Sequence, residues 1–184
     1  MQKELIDIVT KTGEPTGEIA LKSDIHKLGH YHNTAHIWLY TTDGHILLQQ
    51  RAKTKLIYPL LWDVSVAGHI DAGETITQGA LREMKEEIGL ILDKESLTKI
   101  GVFECFKDYE NGFIDNEFHH TFVAELPVTL DKLRLQTEEI EALKLVSITE
   151  LETLLENSEH NGYFVATNKA YYLNVLQTIK QHIN

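Results

Sequence analysis

The sequence predicts an α+β or α/β/α fold, and three observations carry that reading. Short apolar runs of strand character recur along the chain, punctuated by turn signals. Only a few stretches show helical periodicity. The chain has 184 residues, 42% of them hydrophobic, the size of one domain with a sizeable core. Mixed strands with few helices pack as layers around a sheet. We therefore expect residues 1–184 to form a single domain.

The elements follow in order. Leu5 to Val9 reads as a strand, Thr12-Gly13-Glu14-Pro15 as a turn, and Glu18 to Leu21 as the returning strand. Ser23 to Leu28 reads as a short helix that Gly29 ends. Ala35 to Tyr40 and His45 to Gln50 are strand-like, with Asp43-Gly44 between them as a hairpin signal. Trp62 to Val66 is expected as a strand, and Thr77 to Ile88 as a helix with Thr75 or Thr77 as its cap. Leu97 to Cys105 and Phe118 to Glu125 read as strands flanking the Asn111-Gly112 turn, and Ala142 to Val146 as another. Ser147 with Glu150 makes a capping-box pattern before a helix to about Glu156. Asn168 to His182 reads as a terminal amphipathic helix. There is no internal repeat, low-complexity tract or linker.

Charge narrows the partners. The net charge is −11, and no basic stripe interrupts it, so the surface repels nucleic-acid phosphates. No apolar run approaches the length of a membrane span. The opening MQKELIDIVT has no signal-like stretch, and the single cysteine, Cys105, excludes an intrachain disulfide. We expect a cytoplasmic protein that takes a small-molecule ligand, without nucleic acid or membrane; a homodimer stays open.

Residues 68–90 hold the chemistry. They read Gly68, five residues, Glu74, seven residues, Arg82, Glu83, Met84, one residue, Glu86, Glu87, one residue, Gly89, Leu90. Residues three and four apart share a helix face, so Glu83, Glu86 and Glu87 crowd three carboxylates onto one stripe. A hard divalent cation relieves that repulsion and can also hold a diphosphate. Ile76, Ala80, Leu81 and Met84 give the helix an apolar face. Gly68 and Gly73 allow tight turning, and Gly89 fits the place just past a helix end.

This segment resembles the signature of the Nudix hydrolase family without departure. The resemblance implies an α/β/α sandwich with a central mixed sheet, and Mg²⁺-dependent cleavage of a diphosphate bond, with Mn²⁺ as a substitute. It implies a structural ion pair between Arg82 and Glu74, and the Gly68 carbonyl as a ligand beside Glu83, Glu86 and Glu87. The catalytic base is a glutamate of the signature or of a later loop. Glu139, in QTEEIEALKLV, is the leading later candidate and Glu138 the next.

Three further segments, 23–40, 47–69 and 111–126, extend the likeness over residues 4 to 156. There the chain is most similar to the isopentenyl-diphosphate isomerase branch. That branch uses a cysteine just before the glycine-histidine pair, where this chain has Ala67 in SVAGH. Its signature is also degenerate, whereas this one is complete. Both departures favour hydrolysis; an isomerase-like enzyme and a non-catalytic nucleotide-binding regulator are the alternatives. His26, His32, His69, Asp115 and Glu117 match in order the branch's His/carboxylate metal site, with the first spacing one residue short. The competing reading makes His26, His30 and His32 loop and edge residues that touch substrate or solvent. His36, His45, His119 and His120 fall in strand patterns and read as structural; His160 and His182 read as surface residues. Cys105 reads as a buried apolar filler.

The substrate reading is a nucleoside diphosphate derivative or a related X-linked diphosphate. Arg51, Lys53 and Lys55 follow a strand and are candidates for a distal phosphate. Tyr31, Trp38, Tyr58 and Trp62, with His69, are candidates for the adjoining group.

Overall fold

The computed structural model describes residues 4–156, 162–165 and 169–183. Strands β1 (Leu5–Val9) and β2 (Pro15–Leu21) form an antiparallel hairpin. Helix α1 (Lys22–Leu28) follows and ends at Gly29, whose φ of 67° suits a residue without a Cβ. Strands β3 (His32–Tyr40), β4 (His45–Arg51), β5 (Trp62–Asp63) and β6 (Val66–His69) come next, then helix α2 (Ile76–Ile88). The long hairpin of β7 (Thr98–Asp108) and β8 (Ile114–Glu125) precedes β9 (Ile140–Ser147), α3 (Ile148–Glu156) and α4 (Lys169–Ile183).

The central sheet has seven strands, with the path β5-β4-β3-β8-β7. β3 and β8 run parallel from His32↔Glu117 to Tyr40↔Glu125, and the other pairs are antiparallel, so the sheet is mixed. Alternation along β3 divides its side chains between two cores. Ala35, Ile37 and Leu39 pack with Ala80, Met84 and Ile88 of α2. Trp38 and Tyr40 pack with Leu151 of α3 and with Tyr171, Tyr172, Val175 and Ile179 of α4. The expected sandwich of helices around a mixed sheet is therefore present.

The strand expected from Trp62 to Val66 needs correction. β3 and β4 pair near Tyr40↔Ile46 and then splay, and residues 62–69 fill the wedge between them. β5 zips onto β4 and β6 onto β3. Ser65 bridges the split: its Oγ accepts from the Leu39 N–H at 2.8 Å and donates to the Leu47 carbonyl at 2.5 Å. A buried backbone gap must be satisfied somewhere, and here a serine does it. The wedge delivers Gly68 and His69 to the middle of the sheet, on opposite faces of β6.

Other differences are matters of extent. β7 and β8 run on toward the Asn111-Gly112 turn, and β6 continues two residues into the signature segment, through Gly68 and His69. α4 is described from Lys169; Asn168 and His160 lie outside the described residues.

Candidate active site

Helix α2 is built to a stated start and stop. Thr75 is the cap: its Oγ1 accepts from the Gln78 N–H, and the Gln78 side chain accepts from the Thr75 N–H. Such a capping box stabilises a helix end by about 1 kcal/mol. Gly89 ends it at φ 70°, its N–H donating to the Met84 and Lys85 carbonyls. Gly73 donates its N–H to Asp7 of β1 at 2.9 Å, which ties the loop before the helix to the hairpin.

Arg82 is the hub of the expected ion pair and of more. Its Nε and Nη2 grip both oxygens of Glu74 at 2.9 and 3.0 Å. Nη2 also donates to the His69 carbonyl at 2.9 Å, and Nη1 to Glu83 at 2.8 Å and Glu86 at 2.9 Å. One guanidinium thus fixes the loop, the end of β6 and two carboxylates of the stripe.

The stripe divides. Glu83 and Glu87, one turn apart, face inward toward β6, with Glu83 packed against Gly68 and Glu87 facing the Ala67 N–H at 3.4 Å. Glu87 is 4% exposed, whereas the Glu86 side chain is 51% exposed and lies at the rim beside Arg82. Burial pushes the Glu87 carboxyl well above the usual range; Glu83 adds to this, Lys55 opposes it and Glu139 adds again. Burial also raises Glu83, against the pull of Arg82. Two inward carboxylates that resist ionisation are suited to a cation that would restore their charge.

Two lysines and one more carboxylate complete this wall. Lys55 pairs with Glu139, which is near enough to raise Glu87. Glu138 is exposed, and its carbonyl accepts from Thr54. Lys22, at the start of α1, pairs with Glu4 at 2.6 Å and lies within the fields of Glu139 and Glu83. Burial pulls its ammonium down, but these carboxylates outweigh that and raise it. Sequence reading missed Lys22, because nothing in ALKSD marks a lysine that the β1–β2 hairpin brings to the stripe.

The opposite face of β6 carries a nest of imidazoles. Ligand atoms of His26, His32, His69 and Glu117 all lie within 4.8 Å of one another. His26 directs Nδ1 at the Ile114 carbonyl and at Asp115 Oδ1, 3.3 and 3.1 Å away. His32 donates Nδ1–H to the His30 carbonyl at 2.9 Å. Both rings therefore turn Nε2, without its proton, into the nest when neutral. His26 Nε2 stands 2.9 Å from His69 Nε2. His32 Nε2 is buried without a hydrogen-bond partner, 3.4 Å from Glu117 Oε1. Asp115 stands behind His26 rather than in the nest. Burial would raise the Glu117 carboxyl, but the hydrogen bond from His119 and the nearby His32 ring outweigh it and hold it well below its usual range. An orphaned buried nitrogen among three imidazoles and a carboxylate fits a borderline transition-metal ion.

The other expected residues fall as follows. Arg51 is turned inward, its Nη1 on Asp63 at 3.1 Å and its Nε and Nη2 on the Ile57 carbonyl. It braces the loop carrying Lys55. Lys53 is exposed. Tyr58, at φ 49°, accepts from Lys107 Nζ at 2.6 Å and stands against Tyr109. Trp62 packs beside the α4-side core under Lys144 and Tyr163, away from the carboxylate wall. Trp38 is fully buried in that core and has no open face for a ligand, whereas Tyr31 is half-buried and packs edge-on against Phe106. Cys105 is half-buried and pairs in register with Glu117; burial and the neighbouring carboxylates push its thiol up to about 12. His45 sits beside Asp43 at the hairpin, and His120 between Lys99 and Asn33. His182 is exposed, on the Thr178 carbonyl.

The NUDIX domain model matches residues 30–167. Nudix hydrolase 3 of Arabidopsis thaliana is 38% identical over 164 residues, covering 86% of this chain and 21% of that protein. The chain thus spans about a fifth of the length of that relative. A Nudix hydrolase of Clostridium acetobutylicum is 34% identical over 161 residues, 85% of this chain and 76% of its own. Isopentenyl-diphosphate Delta-isomerase 2 of Photorhabdus laumondii is 31% identical over 156 residues, 84% of each chain. The crystal structure of DR0079 from Deinococcus radiodurans superposes with a TM-score of 0.69 at 19% identity, over 93% of this chain and 97% of that one. That last likeness speaks for the fold alone. Fold and signature together define a domain of the Nudix class. The chain belongs to the Nudix hydrolase family.

Proposed function

We propose that this single domain is a divalent-metal-dependent pyrophosphohydrolase. Its substrate is a nucleoside diphosphate derivative or a related X-linked diphosphate. The observation that carries the reading is that Glu83 and Glu87 both turn onto β6, Glu83 against Gly68 and Glu87 facing the Ala67 N–H, within a complete signature. Glu83, Glu87 and the Gly68 carbonyl would hold Mg²⁺ or Mn²⁺, with Glu86 joining from the rim. Bound there, the ion supplies charge withdrawal from the diphosphate oxygens.

The protein's own groups do the rest. Lys22 and Lys55 present ammonium groups to the phosphates, Lys55 exchanging Glu139 for substrate. Glu139, so released, takes the proton of the attacking water. Arg82 keeps Glu83 and Glu86 in place, and Arg51 keeps the Lys55 loop in place. The imidazole nest on the far face of β6 reads as a second cation site, held by His26, His32, His69 and Glu117 with Asp115 behind.

The test is a panel of diphosphate compounds incubated with Mg²⁺ and read by product mass. Cleavage that EDTA stops and Mg²⁺ restores is expected; turnover indifferent to chelation overturns the reading. Isopentenyl diphosphate belongs in the panel. Because Ala67 stands where the isomerase branch has a thiol, no dimethylallyl product is expected.

A further inference from the structure

The nest has a support that neither the signature nor the family likeness describes. Alternation along β8 places Glu117 and His119 on the same face of the sheet. Glu117 divides its oxygens between two duties. Oε1 faces the nest, 3.4 Å from His32 Nε2 and 3.9 Å from His69 Nε2. Oε2 lies 2.8 Å from His119 Nε2. The carboxylate is an acceptor, so His119 is the donor. His119 is itself buried, and its ring stacks on His36 with centroids 3.9 Å apart. His36 Nδ1 is 2.9 Å from the Tyr171 hydroxyl of α4, which accepts from Trp38 Nε1 at 2.7 Å.

We propose that His119 is a positioning residue for the nest: by holding Glu117 Oε2 it commits Oε1 to the His26, His32 and His69 nitrogens. A lone carboxylate on a strand can rotate about its side-chain torsions, and a ligand that must be ordered on binding costs affinity. Here the outer hydrogen bond fixes the rotamer in advance, and the His36–Tyr171 contact fixes His119. The C-terminal helix is thereby part of the nest's geometry. This inference rests on reading the nest as a cation site, and the experiment separates the two.

Metal-stripped full-length chain is titrated with Co²⁺, followed by its visible absorption, in the wild type and in His32→Ala, His119→Ala and His119→Gln. The wild type should develop the bands of a nitrogen-ligated ion, and His32→Ala should lose them. His119→Ala should weaken Co²⁺ binding about 10- to 100-fold, the usual effect of losing an outer partner of a ligand. His119→Gln keeps a donor near Nε2 and should bind close to wild type. Absence of His32-dependent binding in the wild type overturns the cation site, and the inference with it. Intact wild-type binding with unchanged affinity in His119→Ala overturns the positioning role alone. Should His119→Ala fail to fold, ¹⁵N histidine spectra of the wild type decide. A proton on His119 Nε2, before and after Zn²⁺ addition, supports the inference, and a ring protonated only on Nδ1 overturns it.

Discussion

Gly68 and Glu83 stand so close that a Cβ on residue 68 would fall 2.0 Å from the Glu83 carboxyl carbon. The glycine of the signature is therefore a steric requirement, not only a turn residue. No side chain shares that space, so the carboxylate reaches the backbone of β6 directly.

Gly68→Ala tests that contact. Glu83 would have to swing away and break its 2.8 Å bond from Arg82. Overpacking of this kind costs about 1–3 kcal/mol, so the variant should fold with a lowered Tm. Turnover should fall by about 10²-fold or more, because a displaced ligand forfeits several kcal/mol of charge stabilisation. Thermal melting and kcat on the same preparation check both; a wild-type rate would show that Glu83 does not need its present seat.

The glutamates should not be equivalent. Glu83 and Glu87 face β6, while the Glu86 side chain is half exposed beside Arg82. We expect Glu87→Gln and Glu83→Gln to lose Mn²⁺ affinity and about 10²-fold or more in kcat, with Glu86→Gln losing less. Titration of Mn²⁺ and steady-state rates across the three variants give the order. Glu86→Gln as the most damaged of the three would mean that the rim carboxylate turns inward when substrate binds.

Much of this was legible beforehand, for physical reasons that differ by residue. Spacing on a helix is local, so Glu83, Glu87, Arg82 and the end at Gly89 could be placed from the signature alone. The nest histidines came from a matching order along the chain. Lys22 and the support from His119 could not be read, since both depend on which distant strand or hairpin lies alongside. The splay of β3 from β4 was equally hidden: only tertiary pairing tells a continuous strand at 62–66 from two short ones. Trp38 and Trp62 misled because an aromatic in a strand reads alike whether it faces a ligand or α4.

Arg82 makes a stability prediction. Its guanidinium serves Glu74, the His69 carbonyl, Glu83 and Glu86 at once. Lysine keeps the charge but cannot reproduce a fork with five donors. Arg82→Lys should lower Tm by several degrees and depress kcat, because the loop, β6 and the stripe lose their common brace. A melting curve and a rate that both match wild type would show that the charge alone suffices.

Glu139 separates base from ligand. It pairs with Lys55 and stands close enough to Glu87 to raise it. Its backbone is held at both ends, the N–H donating to the Gln136 carbonyl and its own carbonyl accepting from the Ala52 N–H, each at 2.9 Å. The side chain is thus anchored at the wall rather than on a free loop. If it takes the water's proton, Glu139→Gln should depress kcat while Mn²⁺ affinity stays nearly unchanged. Raising the pH should then recover part of the rate, since hydroxide replaces the missing proton acceptor. Loss of metal binding together with turnover would instead make Glu139 a ligand. Lys55→Met supplies the complementary measurement. It frees Glu139 but removes a cation from the phosphates, so KM should rise with a smaller change in kcat. A Glu139→Gln variant that turns over like wild type would return the base to the helix, with Glu83 next in line.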